Sequence, residues 1–149
     1  MSLPKRIEIT EVGPRDGWQN HKAMIIPTEV KAKYVKKMID AGADKIEVTS
    51  FVNPKAVPQM ANAKDLVALV QPYAKEKGSQ TIGLALNKRG VDDAVAAGVD
   101  YVGFGISVSE EHNKRNSNRK KINFDVCGLS FKHFSPLFLP VPIWDLCLL

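Results

Sequence analysis

From Ile7 to Ser109, short β-branched runs alternate with stretches whose apolar residues recur at helical spacing, and Gly, Pro, Asn or Asp separates each pair. No other feature restricts the fold so sharply. Strand and helix in regular alternation call for a parallel sheet with helical crossovers. The expected strands are Ile7 to Val12, Lys45 to Phe51, Thr81 to Leu86 and Tyr101 to Val108, rich in Ile, Val, Thr and Tyr. Their few charges indicate burial on both faces. Pattern alone leaves two arrangements open, a sheet curling towards a barrel or an open, doubly wound one.

The first helix is expected to open at Thr28, whose hydroxyl can accept from a first-turn amide, and to end at Gly42. Val30, Tyr34, Val35, Met38 and Ile39 form its apolar face, and the lysines at 31, 33, 36 and 37 read as a solvated one. A second helix runs from about Asp65 to Ala74, with Pro72 disturbing its last turn. A third spans roughly Val91 to Ala97. Asp-Ala-Gly-Ala-Asp at 40–44 and Ala-Ala-Gly-Val-Asp at 96–100 repeat one device, a glycine that ends a helix just before the next strand.

With 149 residues, 44% of them hydrophobic and 25% charged, the chain suits one soluble domain and not a disordered polymer. It is too short for a complete (β/α)8 barrel, which takes about 250 residues. The net charge of +5 fits an anionic partner without naming one. Cys127 and Cys147 lie outside any CxxC spacing and no apolar leader follows Met1, so a reduced, cytoplasmic setting is expected. The texture changes after Ser109 to a polar stretch, and again at 122–149, which holds both cysteines and Pro136, Pro140 and Pro142. The expected division is therefore 1–121 and an atypical tail, 122–149. The tail is too short and too proline-broken to cross a bilayer, so no membrane role is expected.

The segment Glu11-Val-Gly-Pro-Arg-Asp-Gly-Trp-Gln-Asn20 follows the first strand, at the strand end where α/β folds bind ligands. Asp16 offers hard oxygens for a divalent cation, and Arg15 a fixed charge for a developing oxyanion. A tight turn with a solvated ion pair accounts for the same residues. Glu47 differs, because a carboxylate within the apolar run Ile46 to Phe51 must meet a partner or a water-filled site.

Glu11 to Asn20 resembles the signature loop of the hydroxymethylglutaryl-CoA lyase family. Thr49-Ser-Phe-Val-Asn-Pro-Lys55, Asn87-Lys-Arg-Gly90 and Ser109-Glu-Glu-His-Asn113 resemble that family's segments after its next three strands, in the same order. The resemblance implies a partial (β/α)8 TIM barrel of about four N-terminal βα units. It also implies a divalent cation, Mg or Mn, and retro-Claisen cleavage of 3-hydroxy-3-methylglutaryl-CoA into acetyl-CoA and acetoacetate. By position, the resemblance implies that Asp16 is the metal ligand, Arg15 the stabiliser of the enolate oxygen, Glu47 an acidic active-site residue and Gln19 a polar neighbour of the metal. Val12-Gly-Pro14 before the Arg-Asp-Gly core favours a lyase over a Claisen-condensing synthase. Trp18 carries no transferred role and reads as a packing residue.

The family's His-x-His pair, its later asparagine and its cysteine-bearing glycine-rich loop have no counterpart here. The histidines are His21, His112 and His133. The expectation is thus a lyase-family chain, truncated and impaired on its own. The alternative is a non-catalytic fragment that pairs with itself or a partner through open sheet edges. Lys114, Arg115 and Arg119 read as a solvated loop with a possible reach to coenzyme phosphates. Nucleic-acid binding by the cluster from Lys114 to Lys121 is not expected, because no aromatic residue is interleaved for stacking.

Overall fold

The computed structural model describes residues 5, 7–21, 23–104, 111 and 114. Among the described residues nine elements follow one another: β1 (Thr10–Glu11), a π-helical turn (Gly13–Gly17), α1 (Thr28–Asp40), β2 (Lys45–Ser50), a 3-10 turn (Pro58–Met60), α2 (Ala63–Lys77), β3 (Gln80–Ala85), α3 (Lys88–Ala97) and β4 (Tyr101–Phe104). The four strands form one parallel sheet in the order β1-β2-β3-β4. Each strand therefore lies beside its neighbour in sequence, as expected of consecutive βα units. The chain divides into two units, Met1–Phe104 and Gly105–Leu149, and the described sheet belongs to the first. The expected boundary at 121/122 lies outside the described residues.

Helix α1 ends near Gly42 and α3 at Gly98, where φ is 94° and 84°, so the glycines do supply the left-handed turn that releases each helix into a strand. One core cluster joins Ala32, Val35 and Ile39 of α1 to Ile46 and Val48 of β2 and to Leu66, Val70 and Ala74 of α2, with Trp18 packed against it. A second joins Phe51 to Ala63, Val67 and Ala94. Trp18 is the packing residue its sequence position indicated.

Several elements depart from expectation. Regular pairing in β1 is confined to Thr10 and Glu11, and Ile7 and Ile9 before it are 71% and 65% exposed, as befits the edge of a sheet. Helix α2 runs straight through Pro72, which faces solvent; the carbonyl it leaves without a helical donor belongs to exposed Ala68, where water can satisfy it. Helix α3 starts earlier, at Lys88, because Asn87 caps it by accepting from the Gly90 amide at 2.8 Å. A Cβ at Gly90 would come within 2.4 Å of the Phe51 carbonyl oxygen, so the Asn87 to Gly90 motif both caps the helix and lets it lie against the chain leaving β2.

The buried stripe of α1 is also rotated. Val30 and Tyr34 are exposed, and Lys31 is fully buried beside Ala32 and Val35. This corrects the view of the lysine run as a wholly solvated face. The Lys31 ammonium donates to the Gln59 carbonyl and, at 3.0 Å, to Asn62 Oδ1. Thr28 does not cap α1; its hydroxyl accepts from Asn62 Nδ2 at 2.7 Å. Both residues are spent on tying α1 to the chain between β2 and α2.

Burial holds the Lys31 pKa below its ordinary value of 10.5. Between that lowered value and 10.5 the unfolded chain binds the proton more tightly, so this group's contribution to stability rises with pH across the window. Urea unfolding at a series of pH values should show wild type gaining stability relative to Lys31→Met as pH approaches 10.5. A pH-independent difference would show that the ammonium is not desolvated.

Candidate active site

The π-helical turn begins two residues after β1, with Pro14 at its start supplying a preset φ and no amide to satisfy. Glu11 Oε1 accepts from the Gly13 amide at 2.7 Å, and the Arg15 and Asp16 amides both donate to the Val12 carbonyl, at 3.1 and 2.8 Å. The turn thereby brings the Arg15 side chain back to the neighbouring strand β2. The expected tight turn is thus a π-helical one, and its ion pair is not simply solvated.

Arg15 reaches Glu47 with two nitrogens, Nε at 2.8 Å and a terminal nitrogen at 2.7 Å, both on Oε2. Its other terminal nitrogen donates to Asp16 Oδ1 at 2.7 Å. One guanidinium therefore bridges the two carboxylates singled out from the sequence. The Glu47 side chain is only 9% exposed, Arg15 18% and Asp16 56%, so the pair runs from the sheet interior to solvent. Gln19 Nε2 lies 3.4 Å from Asp16 Oδ1, and Asn20 Nδ2 donates to the Asp16 carbonyl at 3.1 Å. All four candidate residues, Arg15, Asp16, Gln19 and Glu47, thus stand in one connected group.

Strand β2 is irregular beside Glu47. Pairing with β3 shifts register between Glu47 and Thr49, a bulge of the kind that re-aims side chains. On the far side of the carboxylate lies Gly103 of β4. A Cβ there would stand 3.6 Å from Glu47 Oε1, in ordinary contact with that oxygen. Neither Gly103 nor the bulge carried a signal in the sequence. Ser50 was likewise not singled out, yet its hydroxyl is the buried side-chain group without a hydrogen-bond partner among the described residues.

Asn53 folds the segment after β2. Its side chain accepts from the Lys55 amide at 3.0 Å, and its carbonyl from the Ala56 and Val57 amides at 2.9 and 3.0 Å. No helix of the described residues is long and apolar enough to cross a membrane, and no three His, Cys, Asp or Glu side chains among them gather as a metal shell. Asp16 Oδ1 is engaged by Arg15 and Gln19 and its second oxygen has no protein partner among the described residues, which fits one position of a hydrated Mg²⁺ or Mn²⁺. His112, Arg115 and Arg119, along with both cysteines, lie outside the described residues.

Among the described residues, four parallel strands joined by three helices, with the Arg15 guanidinium between two carboxylates beyond the first strand, make up a portion of a TIM-barrel type of enzyme fold. A family model described as HMGL-like matches residues 6–125. The mitochondrial hydroxymethylglutaryl-CoA lyase of Rattus norvegicus is 44% identical over 117 residues, covering 78% of this chain and 35% of the relative. Among solved structures, an HMG-CoA lyase of Bacillus subtilis superposes with a TM-score of 0.71 at 38% identity, over 80% of this chain and 39% of that one. An HMG-CoA lyase of Acinetobacter baumannii, solved in complex with coenzyme A and 3-methylmalate, gives 0.70 at 30% identity, over 76% and 36%. The chain belongs to the HMGL-like family of carbon-carbon lyases, and it spans little more than a third of the length of these relatives.

Removing Arg15 strands a carboxylate that the sheet has largely closed off from water. Arg15→Met should cost about 2–3 kcal/mol in urea unfolding. Adding Glu47→Gln to it should recover part of that loss. Strict additivity of the two changes would mean that the pair is not coupled in solution.

Proposed function

We propose that this chain carries the N-terminal share of a site for retro-Claisen cleavage of 3-hydroxy-3-methylglutaryl-CoA to acetyl-CoA and acetoacetate. The observation that carries the reading is the Arg15 guanidinium held at 2.7–2.8 Å between Glu47 and Asp16. Of the five N–H donors of an arginine, three are used in these contacts and two are left for an oxygen on which charge develops. Glu47 fixes the plane of the guanidinium, so that it need not reorganise as an enolate forms on the acetyl-CoA half. Asp16 would hold the divalent cation and Gln19 orient its carboxylate. When bound, such a cation supplies Lewis-acid polarisation of substrate oxygens.

A single carboxylate is a sparse shell, so the chain alone is read as impaired. Residues 122–149 are read as a tail outside the family portion, although the family match runs four residues into it, to 125. Exposed Ile7 and Ile9, leading into an edge strand, favour self-association as the physical state of the isolated chain.

Titration with Mn²⁺, followed by the loss of its free paramagnetic resonance signal, should show weak binding that disappears in Asp16→Ala. Assays of acetyl-CoA release should show the chain alone to be far slower than a full-length relative. Equal Mn²⁺ binding by wild type and Asp16→Ala, or turnover that survives that change, would reject the reading. Sedimentation should show dimers or larger species that shift towards monomer in Ile7→Lys/Ile9→Lys.

A further inference from the structure

Beyond Trp18, the chain between the π-helical turn and α1 has little apolar burial to hold it. Met24 and Ile25 are 59% and 57% exposed, and His21 is exposed as well. One side chain from another part of the fold takes hold of it. Gln59, 2% exposed in the 3-10 turn before α2, donates from Nε2 to the His21 and Met24 carbonyls, both at 3.1 Å, and accepts from the Ile26 amide through Oε1 at 2.9 Å. Both amide hydrogens and the amide oxygen are thus committed to three backbone groups of one loop.

Gln59 is itself anchored. Its carbonyl accepts from buried Lys31, whose ammonium also donates to Asn62 Oδ1, and Asn62 in turn donates to Thr28 at the start of α1. Among the described residues Lys31 meets only these neutral acceptors, so it acts as a multiple donor that fixes backbone and not as half of a salt bridge. On the loop side, the His21 amide donates to the Trp18 carbonyl at 2.9 Å, and Trp18 packs against the α1, β2 and α2 core. A short covalent and hydrogen-bonded path then leads from Gln59 through His21 and Trp18 to Gln19 and Asp16.

We infer that Gln59 is a positioning residue: by clamping residues 21–26 it fixes the segment that presents Gln19 to the Asp16 carboxylate. It touches neither side chain. The consequence for metal binding deepens the reading of Asp16 as a metal ligand and rests on it, whereas the clamp itself does not.

Amide hydrogen exchange on the full chain tests the clamp, with two variants that predict different patterns. Gln59→Leu should raise exchange about tenfold or more at Ile26, whose amide donates directly to Gln59, and at His21, whose amide is held on the Trp18 carbonyl by the clamped loop, while Ile46, Val48 and Ile82 stay protected. Gln59→Glu keeps the oxygen facing the Ile26 amide but sets a second oxygen against two carbonyls. It should free His21 and leave Ile26 protected. Unchanged exchange at both residues in Gln59→Leu, or equal loss at both in Gln59→Glu, would overturn the proposal. So would loss of protection throughout β2 and β3 in both variants, since Gln59 would then be an ordinary core residue.

A Mn²⁺ titration of Gln59→Leu, with the loop freed as above, should show binding weakened about tenfold; unchanged affinity would reject the effect on Asp16. If wild type binds Mn²⁺ no better than Asp16→Ala, the metal reading fails while the exchange pattern still decides the clamp.

Discussion

A carboxylate built into the middle of a parallel sheet has to be neutralised, and the way Glu47 is neutralised organises the rest of this structure. Its partner, Arg15, is not a cross-strand neighbour but a residue of the turn that follows β1. To deliver it, the turn is wound as a π-helix, opened by a proline and tied by the Glu11 side chain. The guanidinium that meets the buried acid leaves one arm for the exposed one. Only a planar, forked cation does both at once; a lysine at position 15 would answer one carboxylate and abandon the geometry at the other.

The second buried cation shows the contrasting use. Lys31 is more deeply buried than Arg15 yet faces carbonyl and amide oxygens. Its function is mechanical. It braces the chain between β2 and α2 against α1, and that chain, through Gln59, braces the loop after β1. The two segments that contribute candidate site residues are in this way held together at two levels, by an ion pair at the sheet and by a polar network behind it.

Much of this was legible in the sequence because the βα period and the helix-ending glycines are local signals. Four motifs in register added the family, and Arg15, Asp16, Gln19 and Glu47 do form one group. What was not legible depends on rotation and distance. Five apolar residues of α1 suggested a face, but packing against β2 and α2 chose a stripe that takes in Lys31 and leaves Val30 and Tyr34 outside. Pro72 was expected to disturb the last turn of its helix, and only its solvent-facing position shows why the helix continues to Lys77. Gln59 had no signal at all, since a glutamine that binds backbone is indistinguishable in sequence from one on the surface. The register shift beside Glu47 arises from pairing with β3, which no single strand records.

The strictly sequential strand order has a consequence for biosynthesis. Each strand hydrogen-bonds to the one translated just before it, and helix α2 packs on α1 and β2, already made. The sheet can therefore be laid down in step with the ribosome, without waiting for distant sequence to emerge. At every stage of such growth the newest strand presents an unpaired border until the strand after it has been made.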